Sequence, residues 1–240
     1  MKIKTIVSLF FGLSLHVSPT LAGIVVNSTR VIYPQKNSEV TVRLESQNDY
    51  SSLVQSWIDS GNKNEEIKNI NVPFILLPPL TRIEPHQGQT LRISYLGNNA
   101  SLPADRESVF WLNVLDIPPS SSSVNENLLQ MAIRTRIKLF FRPTAIQDLS
   151  PAEAAEALRW HVIKDNKSLI LEAENNSPFY VSVVAVEASS AHKEYSAEGK
   201  MIAPYGRETY RFDKGHFPLK KFKYIYINDY GASVSIEKGI

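Results

Sequence analysis

The sequence has no cysteine and only 10 glycines in 240 residues. Without a thiol there is no thiolate nucleophile, no cysteine-bound metal cluster and no disulfide. The glycines form neither a phosphate-binding loop nor a nucleophile elbow. The histidines beyond residue 22 have no metal-binding spacing; they stand at positions 86, 161, 192 and 216. We therefore predict that the protein is not an enzyme and binds no metal or cofactor.

Long apolar runs are also missing. The apolar run near the start, residues 6–15, is too short to cross a bilayer, which takes about 20 residues. It follows Lys2 and Lys4 and precedes a small-residue cleavage site that ends at Ala22, the pattern of a signal peptide. A buried first strand or a membrane anchor is the alternative. We predict a leader over residues 1–22 that is removed on export, with no membrane insertion of the mature chain.

The mature chain would have no net charge. The sequence holds 26 basic and 24 acidic residues, and loss of Lys2 and Lys4 with the leader would leave 24 of each. A neutral chain offers no electrostatic reason to bind nucleic acid or an anionic membrane. We expect no nucleic-acid partner.

What the sequence does contain is strand-like alternation. The stretches "EVTVRLES" and "QTLRISYLG" alternate apolar and polar residues, and "SVFWLNVLDIP" is apolar enough for a central strand. Prolines separate the runs, which is typical of a sandwich. After Pro143 the pattern changes: "SPAEAAEALRW" predicts a short helix capped by Ser150, and strands then resume. We predict an all-β protein with domains at 23–143 and 144–240.

One strand, "LLQMAIRTRIKLFFRP", raises a question about its two faces. The apolar row begins Leu129, Met131, Ile133, whereas the other row carries three basic residues. Alternation alone leaves open whether the apolar row fills this protein's own core or that of another protein.

Several stretches resemble, in order and spacing, the periplasmic chaperones of the chaperone–usher pilus pathway. They are "TRVIYP", "PPLTRIEPHQGQTLRI", "LPADRESVFWLNVLDIPP", "QMAIRTRIKLFFRP" and "YINDYG". The resemblance implies two immunoglobulin-like β-sandwich domains with a cleft between them, in the periplasm. The short segment before the strand "LLQM" and the lack of cysteine resemble the short-loop subfamily.

The resemblance also implies a function and its residues. Such chaperones lend a strand to a pilus subunit whose own sandwich is incomplete, and then deliver the subunit to an outer-membrane usher. The donor positions match Leu129, Met131 and Ile133, and the opposite row, with Ala132, would pack the home domain. Arg30 and Lys138 match the cations that hold the subunit's C-terminal carboxylate.

A third group of residues, Glu107, Arg142 and Asp229, matches a salt-bridge network between the domains. Treated as exposed pairs, these charges would stabilise the protein by only about 0–1 kcal/mol, so their expected role is to set the cleft angle. Because an apolar strand without a client is an aggregation hazard, the free protein is expected to cap itself by dimerisation or loop disorder.

Two other functions compete with this hypothesis. A fimbrial subunit or adhesin domain would be another secreted immunoglobulin-like module, but no alternating extension precedes the first motif. A secreted hydrolase would need paired carboxylates such as Asp105 and Glu107, and no other catalytic motif supports one.

Overall fold

A computed structural model describes residues 23–97, 102–120, 131–164, 168–190, 193–213, 219 and 221–239. The first half of this chain forms nine strands in the described residues. They are β1 Ile24–Val26, β2 Arg30–Pro34, β3 Val40–Ser46, β4 Ser52–Asp59, β5 Phe74–Leu77, β6 Leu80–Ile83, β7 Gly88–Tyr95, β8 Ser108–Ile117 and β9 Ile133–Arg142. A 3₁₀ turn covers Ile67–Asn69.

These strands make a two-sheet sandwich. One sheet has the order β1-β3-β7-β5 and the other β2-β9-β8-β4-β6. Alternation along each strand points every second side chain into the shared core. Leu44 and Leu91 from the first sheet and Leu112 and Leu139 from the second are completely buried there.

The edge of the second sheet is incomplete along β9. Strand β2 runs parallel to β9 and pairs only with residues Lys138 to Arg142, whereas β8 pairs with Ile133 to Phe141 on the other side. Strand β1 pairs with β3 in the opposite sheet. In the described residues the backbone of 133–137 therefore has a strand neighbour on one side only.

The second half of the chain forms another sandwich. Its strands are β10 Arg159–Lys164, β11 Ser168–Glu174, β12 Val181–Ser190, β13 Lys193–Glu198, β14 Met201–Ile202, β15 Arg207–Asp213, β16 Lys221–Ile227 and β17 Ser233–Gly239. Sheet β10-β11-β15 faces sheet β13-β12-β16-β17, with β14 paired to β12. Tyr210 and Tyr224 are buried between them.

Short helical segments join the sandwiches. A 3₁₀ turn covers Thr144–Ile146, and helix α1 covers Pro151–Glu156. The predicted cap is confirmed, because the Ser150 hydroxyl accepts a hydrogen bond from the Glu153 amide at 3.2 Å. No helix in the described ranges is long and apolar enough to cross a membrane. The predicted all-β fold of two immunoglobulin-like sandwiches with a cleft between them is confirmed.

Candidate functional site

Two cations lie side by side where the sandwiches meet. Arg30 begins β2, and Lys138 is its direct partner in the parallel register with β9. Their neighbours Val31 and Leu139 point into the core, so Arg30 and Lys138 lie on the outer face of the sheet. Register therefore places together two charges that are far apart in the sequence.

The second sandwich holds both cations in place. The Arg30 guanidinium donates from Nη1 to the carbonyl of Ile227 at 2.9 Å, and Lys138 Nζ donates to the Ser182 hydroxyl at 3.1 Å. The Arg30 guanidinium also lies 5.8 Å from the centre of the Phe140 ring. Both charged groups thus face the cleft between the sandwiches.

The electrostatics of this pair favour an anion. Burial lowers the pKa of Lys138, and the positive charge of Arg30 lowers it further. Burial also lowers the pKa of Arg30, although the charges of Asp229 and Glu107 oppose that shift. Two partly desolvated cations that repel each other would be stabilised by a carboxylate between them.

The predicted network of Glu107, Arg142 and Asp229 forms across the domain junction. Arg142 donates from Nε and Nη2 to one Glu107 oxygen at 2.9 and 2.7 Å, and from Nη1 to Asp229 at 3.0 Å. The Tyr180 amide donates to the other Glu107 oxygen at 2.9 Å. The structure therefore brings together all three residues that the sequence assigned to the network.

Burial sets this network apart from surface ion pairs. The side chains of Glu107 and Arg142 are only 2% and 12% exposed, which corrects their treatment as exposed charges. Burial would lower the pKa of Arg142, but hydrogen bonds and charges from Asp229 and Glu107 outweigh it and raise the pKa. Burial raises the pKa of Glu107, against the opposing charge of Arg142. Each buried charge is therefore stabilised by the other, and removal of either residue would leave an unpaired buried charge.

A tight turn brings Asp229 to the junction. Gly231 closes the turn between β16 and β17 with a φ of +84°, and a Cβ added there would collide with the Thr29 hydroxyl. Glycine is required both for the left-handed backbone and for this close approach.

We expect Gly231→Ala to weaken the junction and lower stability by about 1–3 kcal/mol, because backbone strain and the collision add. Thermal unfolding measures this. Gly97→Ala is the matched control, since Gly97 also has positive φ, +66°, but no atom of the described residues lies within 4 Å of its added Cβ. Equal losses in the two variants would rule out the contact with Thr29.

The apolar row that contains Met131, Ile133, Leu139 and Phe141, called the donor row after its predicted role, has an exposed end and a buried end. Met131 is 65% exposed and Ile133 is 53% exposed, and Leu129 lies outside the described residues. Further along the same row, Leu139 and Phe141 are buried in the home core. The opposite row is expected to pack the home domain through Ala132, but Ala132 is exposed, and one apolar row extends from the home core past its edge.

The basic row instead packs on the outer face of β4 and β8. Arg136 lies 4.2 Å from the Trp111 ring centre and donates to buried Asp59 at 2.5 Å. Arg134 lies 4.9 Å from the Trp57 ring centre. Burial would raise the pKa of Asp59, but hydrogen bonds from Arg136, Asn113 and Gly61 hold it below its usual value. These contacts fix β9 so that its apolar row is presented in a defined orientation.

Comparison with known families explains this arrangement. Residues 23–147 match the family of the pili and flagellar-assembly chaperone PapD N-terminal domain. Residues 153–238 match the pili assembly chaperone PapD C-terminal domain. The chain belongs to the PapD family of pilus-assembly chaperones.

Relatives of this chaperone family cover nearly the whole chain. The probable fimbrial chaperone YadV of Escherichia coli K12 is 40% identical, over 90% of this chain and 89% of YadV. The crystal structure of a YadV chaperone has a TM-score of 0.77 at 38% identity, covering 91% of this chain and 100% of that chain. A complex of the Salmonella enterica SafA pilin with the SafB chaperone contains a chain with a TM-score of 0.75 at 26% identity, covering 93% and 99%.

Sequence reasoning missed the residues that position the chaperone cations. Ser182 lies 44 residues from Lys138 and Ile227 lies 197 residues from Arg30, so no local pattern links them. Ile227 contributes only its backbone carbonyl, for which the sequence carries no signal. The one available signal for Ser182 is a polar residue within the apolar strand "YVSVVAV".

Proposed function

We propose that this protein is a periplasmic chaperone that binds pilus subunits by lending them β9, caps them, and delivers them to an outer-membrane usher. The observation that carries the proposal is the exposed apolar end of the row on β9, whose backbone has a strand on one side only among the described residues, next to two partly desolvated cations. An incomplete sandwich presents the complementary features: unpaired backbone and an apolar slot.

The two parts of the site would act together. Met131 and Ile133, with Leu129, would enter the client's slot while the client's strand pairs with the unoccupied edge of 133–137. The C-terminal carboxylate of the client would bind Arg30 and Lys138, which fixes the register of the new strand pair. Binding alone accomplishes this, and no catalysis, cofactor or metal enters the proposal.

The remaining assignments belong to the same proposal. The leader of residues 1–22 would direct export, and the mature domains would span 23–143 and 144–240. In the absence of a client the exposed end of the donor row would be covered in a self-capping dimer. The short loop before β9 would place the protein in the short-loop subfamily; most of that loop lies outside the described residues.

Co-purification tests the function directly. The exported protein, expressed with the pilin of its own gene neighbourhood, should be recovered as a one-to-one complex. A pilin that remains unbound and insoluble while the chaperone is recovered alone would contradict the proposal. A self-capping dimer would appear in sedimentation of the client-free protein and vanish on client binding.

We expect Ile133→Ser to weaken client binding by about 10- to 100-fold, because burial of such a side chain contributes about 1.5–3 kcal/mol. Stability of the chaperone itself should change little, since Ile133 is half exposed. Val184→Ser is the matched control: Val184 is 48% exposed but lies on the second sandwich. Titration of client peptide measures both, and equal affinities would remove Ile133 from the site.

A further inference from the structure

Asp116, near the end of β8, is a buried carboxylate with no cationic partner among the described residues. It is 5% exposed, and its Oδ2 atom accepts hydrogen bonds from the Ile24 amide at 3.2 Å and from Asn48 Nδ2 at 3.3 Å. Its Oδ1 atom is buried without a hydrogen-bond partner among the described residues. A buried carboxylate in this condition is costly unless a positive charge reaches it.

The residue that lies against this carboxylate is Gly23. A Cβ placed on Gly23 would be 2.8 Å from Asp116 Oδ2 and 3.9 Å from its Cγ. The backbone nitrogen and Cβ of one residue are about 2.5 Å apart, so the Gly23 nitrogen lies within about 5.3 Å of Oδ2. The Gly23 carbonyl accepts from the Gln47 amide at 3.0 Å, which holds this residue at the edge of the sheet.

The charge on the Gly23 nitrogen depends on processing. In the precursor it is a neutral amide. Hydrolysis of the Ala22–Gly23 bond consumes one water and leaves a carboxylate on Ala22 and, at neutral pH, an ammonium on Gly23. The new ammonium brings three donors and a positive charge to a site where a carboxylate oxygen has no partner.

We propose that the α-ammonium of Gly23, created when the leader is removed, forms an ion pair with Asp116 that anchors β1 to the start of the donor strand. This inference rests on the proposed cleavage after Ala22. Removal of the leader would then do more than release the protein: it would supply the missing partner of a buried charge.

The position of the ion pair connects it to client binding. Asp116 is the direct register partner of Ile133, the first residue of β9. The Ile133 Cδ1 atom would also lie 3.9 Å from a Cβ on Gly23. An ion pair here ties together β1, the end of β8 and the exposed end of β9, so the donor row is best ordered in the processed chain.

A four-way comparison tests the pair. The chain has no cysteine, so the four forms of the protein can be prepared without any step to form or protect disulfides. They are the mature protein with a free or an Nα-acetylated Gly23, each with Asp116 or with Asp116→Asn. Acetylation keeps the residue count and removes the charge, and asparagine keeps the shape of the carboxylate.

We expect acetylation to lower the midpoint of thermal unfolding by about 3–6 °C when Asp116 is present and by less than about 1 °C in the Asp116→Asn background. Hydrogen exchange of the amides in β1 and at the start of β9 should accelerate about tenfold on acetylation, again only with Asp116 present. Effects of acetylation that are the same in both backgrounds would overturn the ion pair.

The mass of the exported protein separates this inference from the proposal beneath it. If the exported chain begins at Gly23 but the effects of acetylation and of Asp116→Asn are additive, the ion pair is rejected and the proposed chaperone function is unaffected. A chain that begins at another residue rejects the leader boundary and the ion pair together. Loss of one-to-one pilin binding in every form, including the mature one, would instead reject the proposed function.

Discussion

Arg30→Ala and Lys138→Ala should each reduce client affinity by about 30-fold to several thousand-fold while the fold stays intact. Each substitution removes one of two cations that would bind a desolvated carboxylate, and the loss of one partner from such a buried pair costs about 2–5 kcal/mol. Far-ultraviolet circular dichroism checks the fold, and titration with a peptide of the client's last strand checks the affinity. Lys36→Ala, which removes an exposed lysine, should leave affinity unchanged.

The client can be changed to identify the carboxylate itself. Amidation of the peptide's C-terminus should weaken binding to the unmodified protein as strongly as Lys138→Ala does. The same amidation should have little further effect on the Lys138→Ala variant, because the two changes remove the same interaction. Independent, additive losses would show that Lys138 acts on some other part of the client.

Removal of these cations should not destabilise the chaperone. The pKa of Lys138 is lowered in the folded state, so the unfolded chain binds its proton more tightly. Stability should therefore rise as pH increases through the lowered pKa, and this rise should be absent from Lys138→Ala. A loss of stability from two partly buried cations would be the cost of the proposed binding site.

Arg142→Ala is expected to be the most destabilising substitution at the domain junction. It leaves Glu107 as a buried carboxylate with the Tyr180 amide as a remaining donor, which costs about 3–5 kcal/mol. Urea unfolding measures the loss, and small-angle scattering reports the change in domain arrangement. Arg106→Ala is the matched control, because Arg106 forms an exposed ion pair with Asp105, and exposed pairs contribute little to stability.

The pH dependence of this variant distinguishes a buried charge from lost packing. Burial already raises the pKa of Glu107, and the loss of Arg142 removes the largest opposing charge. The folded variant should therefore bind a proton more readily than the unfolded chain, so its deficit should shrink as pH falls from about 7 to about 5. A deficit that is constant with pH would point to packing around Arg142 instead.

Local patterns predicted the fold well because each strand carries its own signal. Alternation in β3 and β7, the apolar run of β8 and the Ser150 cap are all properties of a few consecutive residues. The structure has each of them where the sequence placed it. The order of motifs then supplied the two-sandwich arrangement, which local patterns cannot give.

The side of β9 that packs at home could not be predicted in the same way. Alternation defines two rows but does not say where along the strand the neighbouring sheet ends. The core stops between Leu139 and Ile133, so one row serves two purposes. The basic row, with Arg136 on Trp111, is satisfied by residues from other strands that only the fold brings near.

The same limit applies to burial and to contacts between domains. The family resemblance identified Glu107, Arg142 and Asp229 as a network but gave no sign that Glu107 is buried and accepts a hydrogen bond from the Tyr180 amide. Burial is what turns a weak surface ion pair into a strong constraint on the junction.

The parallel pairing of β2 with β9 also bears on when, during folding, the two cations come together. Arg30 and Lys138 are direct partners although 108 residues separate them. Strand pairs that close so long a loop, and parallel strand pairs in particular, tend to form late. The chain loses conformational entropy before the new contacts stabilise it. We therefore expect the two cations to meet late in the assembly of the first sandwich. If Arg30 and Lys138 bind the client's terminus as proposed, a partly folded chain would lack that site and would not compete for clients.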